Sequence, residues 1–222
     1  MTPSKNWFAA TPGYSRAEDI ASAAIHGVGA VAALVACVLL INKGFGVLSG
    51  WQLAGVALYG ASLIVLFSAS TLYHAVLDPP LKNRLKRIDH GAIFVVIAGT
   101  YTPFMSITLQ SQMATALLAI VWSLAVAGVV LKIFHVHRFR WLSLATYLTM
   151  GWLALFVFWE LWQALPRPGF WLLLGGGGCF TLGTVFYAMK SVRYTHAIWH
   201  LWVVAGAACH AVAVGIYVIP DA

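Results

Sequence analysis

The sequence predicts an all-α, polytopic membrane protein with seven transmembrane helices, and three observations carry that reading. Of its 222 residues, 61% are hydrophobic and 9% are charged, whereas a typical soluble domain is about 25% charged. Mean hydropathy is +0.86. Seven apolar stretches each approach the roughly 20 residues needed to cross a hydrocarbon core about 30 Å thick. The connections are short and show no internal repeat or low-complexity tract. A single transmembrane domain over 22–218 is therefore expected, with a segment 1–21 before it and a tail 219–222 after it.

The first span, 22–42, follows a polar stretch that lacks an apolar segment ending in a small-residue cleavage site, so the span itself is expected to target the chain. The second covers 52–74. The third, 89–109, carries Pro103 in AGTYTPF, where a kink is expected, with Thr100 and Thr102 available to satisfy freed carbonyls. The fourth covers 112–133 and the fifth 141–163. In the sixth, 170–189, the run Gly175 to Gly178 is expected to permit close helix approach. The seventh, 196–218, opens on His196 and His200. Trp51, Trp141, Trp162 and Trp171 fall at span ends, as interfacial tryptophans do. Cys37, Cys179 and Cys209 lie inside apolar runs without metal-ligand or redox spacing and read as packing residues.

Orientation follows from the basic residues, which concentrate in cytoplasmic loops. Eleven lie on one side (Lys5, Arg16, Lys82, Arg84, Lys86, Arg87, Lys132, Arg138, Arg140, Lys190, Arg193), against Lys43 and Arg167 on the other. This places the N-terminus inside and the C-terminus outside. The net charge of +7 is thus a topology signal, with contact to anionic lipids as its by-product, and nucleic acid is not an expected partner. Membrane lipids are the expected partners, and the sequence points to no particular protein partner.

The polar residues converge on that topology. Glu18, Ser22 and His26 lead into the first helix, Ser70 and His74 close the second, Asp89 opens the third, and His196 and His200 open the seventh. All lie at the cytoplasmic ends. An ionisable group at membrane depth costs about 2.5–3.5 kcal/mol on insertion scales, so such a cluster marks a functional site. Residues four apart share a helix face, so His196 and His200 can present two imidazoles to one ion, and Ser70 and His74 a hydroxyl and an imidazole. Three histidines from two helices suit zinc, whose catalytic sites use three protein ligands and leave one position open. For Asp89 two roles stand side by side, an N-terminal helix cap and a base that takes a proton from water. His90 is turned about 100° from Asp89 and is expected at the interface. His135 and His137 lie in a basic loop, where a solvated or headgroup-facing role is expected. His210 is about 15 Å further along the last helix than His200, too far to share the ion, and is expected to hydrogen-bond a neighbouring helix or line a cavity.

The stretches EDIASAAIHGVG, FSASTLYHAVLDPPLKNRLKRIDHGAIFVVIAGTYTPF and THAIWH resemble, in that order, the motifs of the haemolysin III family, the bacterial branch of the progestin and adipoQ receptor superfamily. The resemblance runs from Glu18 to about His210. It implies a seven-helix protein of the bacterial inner membrane with a zinc ion held by His74, His196 and His200, Asp89 near a zinc-bound water and Ser70 close by. One position departs from the pattern: Ser22 stands where the family's first motif usually has Asn, which leaves the roles of Glu18 and His26 open. Kinship with alkaline ceramidases implies a metal-dependent hydrolase of lipid amides. The alternatives are a zinc-stabilised receptor-like or regulatory protein of membrane lipid homeostasis, and a membrane-permeabilising protein.

Overall fold

The computed structural model describes residues 14–136, 140–189 and 191–221, and all its regular elements there are helical. Lys5, His137, Arg138 and Lys190 lie outside the described residues. The spans are α1 (Arg16–Gly44), α2 (Gly50–Ala75), α3 (Pro79–Pro103) with a π-helical turn (Phe104–Leu109), and α4 (Gln112–His135). The fifth is a composite of α5 (Arg140–Trp152), a 3-10 turn (Leu153–Val157) and α6 (Phe158–Ala164). The last two are α7 (Arg167–Ala188) and α8 (Thr195–Ala213), which ends in a π-helical turn (Val214–Val218). Seven segments are thus long and apolar enough to cross a membrane.

Local chemistry starts each helix where it starts. Ser15 and Glu18 form a capping box at α1, and Ser49 and Gln52 form another at α2. Ser111 caps α4 by accepting the Ala114 amide at 3.1 Å. Each such cap is worth about 1 kcal/mol. Asp78 caps α3, accepting the Leu81 amide at 2.9 Å, with Pro79 and Pro80 in the first turn. α3 therefore begins ten residues before the expected 89. The intervening polar turns lie beyond the apolar window, and it is the Asp-Pro-Pro start signal that fixes the helix end. Asp89 consequently sits inside α3, and the capping role considered for it does not hold.

Helices adjacent in sequence pack side by side through α1 to α4, α7 pairs with α8, and α8 returns to α1. Small residues set the close approaches. A Cβ at Gly60 would strike Cys37, and one at Gly128 would strike Phe94. Of the glycine run in α7, only Gly176 lies against another helix: an added Cβ would strike His210 and come within 3.0 Å of the Gly206 carbonyl, while Gly175, Gly177 and Gly178 face open space. Pro103 ends the α-helical part of α3 and the chain continues in π geometry. Thr100 and Thr102 donate to the carbonyls of Val96 and Ala98, at 2.8 and 3.0 Å. The fifth span touches its neighbours lightly and breaks at Trp152. Tyr101 of α3 bridges that break, donating to the Met150 carbonyl at 2.7 Å and accepting the Ala154 amide at 2.8 Å. Trp51, Trp141 and Trp171 are exposed at span ends.

Candidate metal centre

The last turn of α2 and the first turns of α8 meet at one end of the bundle, and three imidazoles converge there. His74 Nε2 lies 3.3 Å from His196 Nε2 and 3.2 Å from His200 Nε2. All three side chains are buried, and the group can hold a metal ion. The spacing has a simple reading: imidazole nitrogens held tetrahedrally at 2.0–2.1 Å from an ion stand about 3.3 Å apart. One lone pair on His74 cannot satisfy two neighbours equally well, whereas one cation satisfies all three nitrogens.

Each imidazole is fixed from behind through Nδ1. Asp19 Oδ1 lies 2.8 Å from His74 Nδ1. A carboxylate only accepts, so His74 carries its proton on Nδ1 and turns a bare Nε2 inward. Lys82 balances the charge from the other side, donating to Asp19 Oδ2 at 2.8 Å. His200 Nδ1 lies 2.7 Å from His26 Nε2. Tyr14 stacks on the His196 ring at 4.5 Å between centroids, with its hydroxyl 3.2 Å from Nδ1. In the metal-ready tautomers His26 and Tyr14 accept these Nδ1 protons. The start of α1 is tied down by the same groups: Glu18 Oε1 accepts the Tyr194 amide at 2.7 Å, and Arg16 donates to the His74 and Ala75 carbonyls at 3.4 and 3.3 Å. Tyr194, with φ of 63°, precedes α8 in a left-handed conformation that this contact holds.

The sequence-predicted residues do gather. Asp89 is buried on α3, with Ser70 and His74 beside its carboxyl and His90 Nδ1 3.5 Å from Oδ2. The Ser70 hydroxyl is itself buried without a hydrogen-bond partner, as is that of Ser22. Glu18 serves the α1 cap and the α8 approach, and His26 backs His200. Sequence reasoning missed Asp19, Lys82 and Tyr14. One signal was available for Asp19: it stands three residues before Ser22 and seven before His26, on the same helix face.

Below this cluster runs a cavity of about 200 Å³, with His26, Asp89, His90 and His196 at its head and Phe104 and Phe170 at its far end. Along α3 the distance from Asp89 to Phe104 is about 22 Å at 1.5 Å per residue. The walls are overwhelmingly apolar. His90 therefore lines the cavity mouth and not the interface; its Nδ1 donates to the Lys86 carbonyl one turn earlier at 2.9 Å, which holds the ring there. His210 does both things expected of it: Nε2 donates to the Leu173 carbonyl at 3.0 Å, and the ring borders the cavity. His135 is exposed.

Fold and site together define a multi-pass membrane protein with a buried tri-histidine centre at the head of an apolar cavity. The family model described as "Haemolysin-III related" matches residues 14–211, and the chain belongs to that family. It is 43% identical over 191 residues to "Hemolysin-3 homolog" of Bacillus subtilis (strain 168), covering 86% of this chain and 90% of that one. It is 39% identical over 205 residues to "Hemolysin-3" of Bacillus cereus, covering 92% and 94%. A 28% identity over 175 residues, 75% of this chain and 71% of the other, links it to "Monocyte to macrophage differentiation factor" of Homo sapiens, in keeping with the progestin and adipoQ receptor superfamily.

Proposed function

We propose that this protein is a zinc-dependent hydrolase of lipid amides, ceramidase-like, in the bacterial inner membrane. The observation that carries the reading is the meeting, at one point, of three inward-facing imidazoles, a buried carboxyl and the mouth of a cavity long enough for an acyl chain. Zinc is the metal of choice because three neutral imidazoles with a position left open form its usual catalytic donor set. When bound, it supplies Lewis acidity and makes water a better acid at neutral pH. The chain's own residues do the rest. Asp89 takes a proton from the attacking water and returns it to the departing amine nitrogen. The Ser70 hydroxyl stands beside that carboxyl and has its hydrogen bond to give. The cavity takes the acyl chain, excludes water around it and sets the amide beside Asp89 and His196. In this reading the N-terminus is inside, so a reporter fused after Ala222 works only outside the cytoplasm.

The test is lipid-amide turnover by purified protein and by Asp89→Asn, with metal content measured on both. Turnover in the wild type and its loss in a fully metallated variant support the reading. Undiminished turnover in the variant rules out Asp89 as the base. A regulatory protein with a structural zinc is the second reading, favoured by the way the ligands tie α2 to α8 while Asp19 and His26 add α1. It predicts that metallated Asp89→Asn keeps its biological activity. Membrane permeabilisation, which the relatives' names suggest, fits less well: the metal-facing polar groups gather at one end, and the cavity beyond them is apolar.

A further inference from the structure

The apolar cavity has one polar atom along its walls that the protein leaves unmet. His210 borders the cavity and is 6% exposed. One edge of its ring is laid on α7: a Cβ at Gly176 would strike Cδ2 and Nε2, and Nε2 donates to the Leu173 carbonyl at 3.0 Å. The opposite edge carries Nδ1 and is turned away from that backbone, and Nδ1 is buried with no partner. A carbonyl only accepts, so the proton sits on Nε2 and Nδ1 of the neutral ring is a bare acceptor. A second proton would set a charge at membrane depth, with Asp89, the carboxylate that lines the cavity, at its head.

Thr100, Tyr101, Trp152, Thr181 and Thr184 also line the cavity, and each donates within the protein. What His210 lacks is a donor, and its depth fixes what can bring one. It stands ten residues beyond His200 on α8, or about 15 Å. An all-trans chain of bonds about 1.5 Å long advances about 1.25 Å per carbon. An acyl chain with its carbonyl at the metal centre therefore passes His210 near its twelfth carbon, by about the same arithmetic. A methylene there leaves Nδ1 desolvated and unpaired, whereas a hydroxyl satisfies it and is itself satisfied.

We propose that the cavity takes acyl chains bearing a hydroxyl group near the twelfth carbon, which donates to His210 Nδ1, so that the substrates are amides of mid-chain hydroxylated fatty acids. The inference rests on the acyl-chain placement in the proposed function, and not on the identity of the metal or of the base.

The experiment is competition binding on the full-length protein in neutral detergent, with the acids that amide hydrolysis would release, since these are not turned over. Tritiated stearate is displaced by unlabelled stearate, 12-hydroxystearate or 7-hydroxystearate. The two hydroxy acids are isomers, so partitioning into micelles affects them alike. The wild type should bind the 12-isomer about tenfold more tightly than the 7-isomer, whose hydroxyl is buried about 6 Å short of the acceptor. His210→Phe keeps a ring without the acceptor, and the two isomers should bind it alike. Equal binding of the isomers by the wild type overturns the inference and leaves the acyl-chain reading standing, as does a preference for the 12-isomer that persists in His210→Phe. Absence of saturable stearate binding removes the acyl-chain reading itself, and the inference falls with it. The isomer ratio in the wild type decides even if the variant fails to fold.

Discussion

α8 carries buried histidines in two regions, and their surroundings differ. His196 and His200 face His74 of α2, with Nδ1 backed by Tyr14 and His26, so their Nε2 atoms point at a shared position. His210, buried to a similar degree and bordering the same cavity, spends its Nε2 on the Leu173 carbonyl of α7. Residue type and depth do not make the site. What makes it is convergence from several helices together with a partner behind each ring, of which the Asp19 carboxylate dictates that His74 Nε2 is bare.

That contrast can be broken most sharply by removing a ligand. His200→Ala should abolish metal retention, since two ligands rarely close a zinc site, whereas His210→Asn should leave metal content unchanged; elemental analysis of the purified proteins checks both. Next in size is Asp89→Asn, expected to lower lipid-amide turnover by about 10²–10⁴-fold with metal and fold intact. Asp19→Asn keeps an acceptor for His74 Nδ1 but removes the charge, and should weaken metal affinity by about 10–100-fold in chelator competition. The smallest effect belongs to the His210 region. Gly176→Ala drives a methyl into that ring and should cost about 1–3 kcal/mol of stability, read by thermal unfolding, with metal content unaltered.

Much of this was legible in the sequence because a bilayer imposes its own pattern. Seven apolar stretches gave seven spans, and the fourth, spaced by a serine cap and a basic end, matched within about two residues, within the scatter of helix-end assignment. HxxxH in THAIWH and the serine and histidine of SASTLYH placed the imidazoles on common faces. Where reasoning from hydropathy stopped short, the cause was polar sequence that remains helical. The turns from Pro79 to Ile88 are charged, so their helix was invisible to an apolar window, and Asp89 was taken for a residue at a helix start. Asp19 was overlooked because an acid in a first turn is satisfied by the helix dipole alone. Only the packing of α1 on α2 reveals that it faces His74. Lys132 was counted as one more basic loop residue, and its burial depends on the register of α4 against α3, which no periodicity within α4 encodes.

The central claim is that His74, His196 and His200 hold one zinc ion through Nε2. X-ray absorption at the zinc edge, on full-length protein purified without added metal, tests it most directly. The account predicts one zinc per chain with three imidazole nitrogens at about 2.0–2.1 Å and no sulfur. Protein that retains no zinc, or an edge spectrum showing sulfur at about 2.3 Å, would contradict it.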